Sequence, residues 1–123
     1  MSELCTELKI NKMTKVAIPV SDGILSQHFG YCQYFALYHI SDGEIVNSEI
    51  LDAPPHQPGL LPKWLAEKGA TDILAGGMGQ RAIAIFNQFK INVFVGVPGK
   101  AADDLIKDYL QGILVTNENA CDH

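Results

Sequence analysis

The sequence predicts a single α/β domain built on a mixed five-stranded sheet, ordered 3-2-1-4-5 with strand two antiparallel. Three observations predict it. Residues 16–20 are a continuous apolar run, Val-Ala-Ile-Pro-Val, as a central strand buried on both faces requires. Asp42-Gly43 stands between two strand-like runs, and Asp-Gly supplies the positive φ of a tight hairpin. Beyond residue 59, helix-spaced apolar residues alternate with short β runs, the pattern of crossover helices joining parallel strands.

Residues 1–13 show no clean period and read as a flexible leader, leaving 14–123 as one domain. The first strand is Val16 to Val20, with Pro19 marking its end because proline cannot donate to a ladder. Ser21 to Tyr31 is a loop. Gln33 to Ile40 and Glu44 to Leu51 are strands two and three of an antiparallel meander. Pro54, Pro55 and Pro58 exclude regular structure from residues 52–59. Leu60, Leu61, Trp64 and Leu65 then recur at helical spacing, and Gly69 stops that helix. Asp72 to Ala75 is strand four. Ala82, Ile83, Phe86 and Phe89 mark a second helix, and Asn92 to Val95 is strand five. A third helix runs from about Ala101 to Gln111, and Ile113 to Val115 is a candidate short last strand.

Strand direction gathers the chemistry. If strand one runs upward, strands three, four and five also run up, so loops 21–32, 52–59, 76–79 and 96–100 share one edge. Ligands of open α/β sheets favour that edge, beyond the carboxyl ends of the strands. A parallel strand at 113–115 would bring Cys121-Asp122-His123 there too. The edge then collects His28, Cys32, His56, Gly76 to Gly79, Cys121 and His123.

Composition narrows what binds there. Of 123 residues 47% are apolar and 19% charged, with a net charge of −5 and Arg81 as the only arginine. A chain so poor in cations lacks the electrostatic footprint for phosphate backbones, which argues against nucleic acid. No run is long enough to span a membrane and no apolar signal core opens the chain, so a cytoplasmic location is expected. Three widely spaced cysteines, Cys5, Cys32 and Cys121, are no disulfide framework; they are free thiols, metal ligands or small buried hydrophobes.

Among the candidates, His28 and Cys32 put an imidazole and a thiol four residues apart, ligands suited to zinc, iron or copper. Cys121 and His123 offer the same pair at the chain's end. His56 lies between prolines, and His39 falls within a strand and reads as structural. Gly76-Gly77-Met78-Gly79 marks close backbone approach, either to a neighbouring segment or to a guest on the next helix's N-terminus. It is neither a P-loop nor a dinucleotide fingerprint. Met78 offers a thioether or an apolar contact, and Arg81 could pair with an anion. No catalytic residue is assigned: Cys32 with His28 is a conceivable nucleophile and base, without a third group or oxyanion feature. Asp72 begins its strand and belongs to the opposite edge.

The residues Val16 to Val20, His28-Phe29-Gly30, Gly76 to Gly79 and the Cys121-Asp122-His123 ending, in that order, resemble the dinitrogenase iron–molybdenum cofactor biosynthesis family. This is the NifX/NafY and NifB C-terminal type, with small stand-alone members, including the orange-protein group, looking closest. The resemblance implies a three-layer ribonuclease H-like fold and non-catalytic binding of an iron–sulfur or a molybdenum–iron or molybdenum–copper sulfide cluster. It assigns a ligand role to His28 and, by position, to Cys32, with Gly30 beside them. Gly76, Gly77, Met78 and Gly79 would form a backbone wall, and Arg81 would offset negative charge. Cys121 and His123 match the ending of many stand-alone members. Partners would be proteins that donate and accept the cluster. The competing readings are a small hydrolase or nucleotide-binding enzyme using the same edge, and a regulatory interaction module.

Overall fold

The computed structural model describes residues 13–27, 29, 32–54 and 60–116. Its elements are β1 (Met13–Ser21), β2 (Ile24–Leu25), β3 (Tyr34–Ser41), β4 (Glu44–Asp52), α1 (Leu60–Glu67), β5 (Asp72–Leu74), α2 (Gln80–Gln88), β6 (Asn92–Phe94) and α3 (Ala102–Gln111). The sheet order is β4-β3-β1-β5-β6, with β2 paired to β1 outside that path. The five long-path strands therefore stand in the expected order, and β3 alone runs against the others.

Alternation along the strands divides the core in two. Ala17, Phe35, Leu37 and Ile73 face α1 and α2, packing with Leu61, Leu65 and Phe86. Val16, Ile18, Val20, Ala36, Tyr38, Ile40 and Leu74 face α3, packing with Leu105 and Ile106. This period of two is what a sheet covered on both faces demands, and it explains why the central runs read as uninterrupted apolar sequence.

The structure corrects several boundaries. β1 starts at Met13, inside the expected leader, because Met13 to Lys15 still pair with Ser41 to His39. Pro19 lies within β1, where the neighbour on one side changes. β5 pairs only with Val16 and Ala17, and β2 takes over at Val20. The loop expected from Ser21 contains a hairpin that composition hid. Ser21-Asp22-Gly23 repeats Ser41-Asp42-Gly43, and both turns hold Asp and Gly at positive φ, 54° and 84° in the first, 53° and 79° in the second. Both join strands through two residues, the geometry of an I′ turn.

The last expected strand does not form. After α3, Gly112 takes φ 76°, its N–H donates to Tyr109 O and the N–H of Ile113 donates to Asp108 O, which closes a Schellman cap. Ile113 and Val115 are exposed, and 113–116 pairs with no strand. The reason for expecting Cys121 and His123 at the upper edge goes with it. Those two residues lie outside the described ones.

Candidate functional site at the upper edge

Four upward strands end at one edge of the sheet, and the segments that follow them are tied together by main-chain hydrogen bonds. Leu25 N–H donates to Lys100 O (2.9 Å), Phe29 N–H to Gly77 O (3.0 Å) and Gly96 N–H to Gly76 O (2.9 Å). Ala75 N–H donates to Phe94 O and Val97 N–H to Ala75 O. Gln33, which the sequence did not single out, fixes the β1–β2 hairpin from the side. Its Oε1 accepts from Asp22 N–H, its N–H donates to Val20 O and its carbonyl accepts from Ala53 N–H. So many cross-loop bonds leave the edge preorganised rather than dependent on a guest for its shape.

Phe29 anchors the loop after β2 by its side chain as well. Its ring sits edge-on to Phe35 at 5.7 Å and to Phe86 at 5.5 Å, and Phe35 in turn lies 5.7 Å from Trp64. A loop residue is thus part of the core beneath α1 and α2. Residues 28 and 30 flank it, so His28 and Gly30 are chain neighbours of a fixed point, though both lie outside the described residues, as does His56.

Beside this anchor opens a cavity of about 540 Å³, lined by Ser21, Asp22, Ile24 and Gln27 on one wall and by Gly96 to Gly99 on the other, with Gly76 as floor. Only Gly76 of the expected glycine wall lines it. A Cβ on Gly76 would stand 3.3 Å from Gln27 O and 3.5 Å from Ser26 O, so the close approach at this glycine is to a neighbouring chain segment. The backbone of Gly77 is spent on Phe29. Gly79 is different: it is exposed, it caps α2 without a side-chain bond, and among the described residues nothing beyond its chain neighbours lies within 4 Å of where its Cβ would be. Arg81 is exposed in that helix's first turn, which holds no acidic residue.

Met78 lies on the other side of the glycine stretch. It is 1% exposed and packs within the core under α1 and α2. Its side chain serves the core and does not line the cavity. Cys32 is half-buried and packs against the same cluster. Burial pushes its thiol up to about 11, although hydrogen bonds to the backbone at Cys32 and Val20 pull the other way. A thiol held protonated is the reverse of an activated nucleophile. Among the described residues no group of three or more His, Cys, Asp or Glu side chains could hold a metal ion. Of the expected metal ligands, Cys32 is among the described residues, and His28, Cys121 and His123 lie outside them.

Two of the remaining expectations are met on the lower side. His39 Nε2 contacts Glu49 Oε2 at 2.6 Å, a strand-to-strand pairing far from the cavity. Asp72 is buried at the start of β5, accepting from Thr71 Oγ1 at 2.8 Å and from Tyr109 OH at 2.9 Å. Sequence reasoning placed the 96–100 loop at the edge without choosing any of its residues. The signal was Pro98-Gly99, a turn pair directly after a strand.

A three-layer α/β domain with its cavity beyond the carboxyl ends of the parallel strands is a binding scaffold of the kind that takes ligands at an open sheet edge. The profile of the family described as "Dinitrogenase iron-molybdenum cofactor" matches residues 12–112, and the chain belongs to that family. An uncharacterized protein of Methanocaldococcus jannaschii, MJ0580, is 33% identical over 108 residues, 84% of this chain and 91% of that protein. The crystal structure of PH0822 is 34% identical and superposes with a TM-score of 0.79, covering 85% of this chain and 95% of the other. The apo form of the orange protein from Desulfovibrio gigas, at 20% identity and a TM-score of 0.71 over 88% of this chain and 96% of that one, shares the fold.

Proposed function

We propose that the chain is a non-catalytic carrier of an iron–sulfur or molybdenum-containing metal–sulfur cluster, which it holds at the upper edge and passes between a donor and an acceptor protein in the cytoplasm. Membership of a family concerned with the iron–molybdenum cofactor supports the theme. The observation that carries the reading is the open cavity of about 540 Å³ at a preorganised edge, walled by glycine backbone, by Ile24, Leu25, Val97 and Pro98, and by the polar side chains of Ser21, Asp22, Ser26 and Gln27. That volume falls in the range of ordinary ligand pockets, roughly 300–1,000 Å³.

In this reading His28 is the imidazole ligand, next in the chain to Gln27 of the cavity wall and to the anchored Phe29. Cys32 supplies a thiolate once a metal displaces its proton. Cys121 and His123 are further ligands carried on the terminal segment. The uncapped N-terminus of α2 at the exposed Gly79 and the guanidinium of Arg81 offset the negative charge of a sulfide cluster. Few protein ligands suit a cargo that must leave again. Cys32 favours the carrier over a hydrolase, because its thiol is held protonated rather than activated. No described helix is long and apolar enough to cross a membrane.

Anaerobic reconstitution with iron, molybdate and sulfide tests the proposal. A bound chromophore in the visible spectrum, with metal retained through gel filtration and lost in His28→Ala, is the expected result. A wild-type chain that stays colourless and metal-free under those conditions would remove the reading.

A further inference from the structure

Among the described residues β4 is the long free edge of the sheet. It pairs with β3 on one side only, through eight of its nine residues, whereas β6 at the other edge has three residues. Its apolar side chains are exposed: Ile50 at 63%, Val46 at 58% and Ile45 at 42%. Ile45 and Ile50 stand opposite Ile40 and Ala36, on the face that α3 covers only in part. Around them the hairpin from Ser41 to Asp52 carries four carboxylates, Asp42, Glu44, Glu49 and Asp52, and no lysine or arginine. An apolar centre with a charged rim is the anatomy of a docking surface.

The charge selects the occupant. A second copy pairing through β4 would bring its own four hairpin carboxylates to the seam, with no lysine or arginine in either hairpin to relieve them. Like charges directly across a strand pair are destabilising, and acidic edges commonly keep a sheet from joining its own kind. A strand of opposite charge gains where a copy loses.

We propose that β4 is a docking edge for an extended, basic segment of a partner protein. That segment adds one strand to the sheet, setting Lys or Arg against Glu44 and Asp52 and branched apolar side chains beside Ile45 and Ile50. Main-chain hydrogen bonds along the free edge give the attachment, and the carboxylates choose the sequence. The bulge between His39 and Ile40 leaves Val46 without a partner on β3, and pairing resumes at Ile45 and Glu44. Asp52 ends β4 at the upper edge, so the docked strand finishes on the same edge as the cavity. The docking itself does not depend on what the cavity holds.

Titration of the isotope-labelled chain with a synthetic nine-residue peptide, lysine at each end and valine and threonine between, followed by NMR, tests this. Shifts confined to the amides of β3 and β4, slower hydrogen exchange along β4, and loss of binding at high salt are expected. The same peptide with glutamate for lysine should not bind. A Glu44→Lys/Asp52→Lys variant should weaken binding about tenfold, and Ile50→Lys, at an exposed position, should weaken it with the melting temperature unchanged. Lys63→Glu on α1 should leave it unaltered. Three results would overturn the proposal: no binding at millimolar peptide, shifts centred on α1 and α2, or a dimer of the chain alone with its β4 amides protected.

Discussion

The two faces of the sheet are held by different physics. Under α1 and α2 the contacts are aromatic and interlocked, and they draw in Phe29 from the upper edge. On the other face α3 is the single covering helix among the described residues. It is pegged near both ends by a tyrosine–aspartate hydrogen bond: Tyr38 OH donates to Asp103 Oδ1 (2.6 Å), and Tyr109 OH donates to Asp72 Oδ2 (2.9 Å). The first arrangement couples the site to the core. The second fixes a helix's direction while leaving β4 uncovered beside it. A core substitution should therefore be felt at the cavity from one face and not from the other.

The largest effect should come from Phe29→Ala. It removes a ring shared between Phe35 and Phe86 and leaves a cavity, at a cost of about 3–4 kcal/mol. Because the same residue bonds Gly77 through its N–H, the loop beside the cavity should loosen as well. Denaturant unfolding gives the first quantity and amide exchange at Gly77 and Gly96 the second. A protein of reduced stability with unchanged exchange at the edge would break the proposed coupling. Leu105→Ala on the α3 face is the contrast: a cost of roughly 3 kcal/mol with the edge amides unmoved.

Tyr109→Phe comes next. It leaves the buried Asp72 with its bond from Thr71 but without its second donor, and about 1–2 kcal/mol should be lost. Tyr38→Phe should cost less, about 1 kcal/mol, because Asp103 is exposed and water replaces the hydroxyl. Chemical denaturation of the two single variants and the double variant measures both terms and shows whether the pegs act independently.

Alkali should distinguish the faces as well. Burial, followed by the neighbouring Asp72 carboxylate, pushes Tyr109 up to about 12 from 10.0, and burial with Asp103 raises Tyr38 further. Burial raises Cys32 from 9.0 to about 11. Each group binds its proton more tightly when folded. The stability they contribute is thus intact below the unfolded values and declines as pH rises through 9 towards 12. Tyr38 and Tyr109 both belong to the α3 face, so the part of the tyrosinate absorbance that is lost in a Tyr38→Phe/Tyr109→Phe double variant should appear together with loss of α3 helicity. In Tyr109→Phe that loss should be less steep with pH.

Much of this was legible in the chain. The apolar runs at 16–20 and 33–40, the Asp42-Gly43 turn and the glycines after helical runs are local signals, and they set the strand order and hence the shared edge. What stayed hidden depends on tertiary contact. Gly76 looked like a ligand cradle, and only the path of residues 26–27 across it shows what it makes room for. Met78 sat in the same glycine stretch but turns into the core, a choice of side that a loop sequence does not encode. The β1–β2 hairpin could have been found, since Ser21-Asp22-Gly23 copies the turn already recognised at residue 41. Ile113 to Val115 failed as a strand because β propensity without a neighbour to pair with yields only exposed chain.

The smallest effect concerns how the helices end. α1 and α3 finish in Schellman caps with glycine in the left-handed position, Gly69 at φ 87° and Gly112 at φ 76°. α2 closes with the same pair of bonds, Ile91 N–H to Phe86 O and Lys90 N–H to Asn87 O, but with a lysine at φ 61°. A side chain there crowds the backbone at a cost of roughly 1 kcal/mol, part of which glycine returns through its freer unfolded chain. Lys90→Gly should therefore stabilise the protein by about 0.5 kcal/mol, seen as a small rise in melting temperature. The gain should persist in Tyr109→Phe, because α2 and α3 lie on opposite faces. If the two changes are not additive, the sheet transmits strain between its faces and their independence fails.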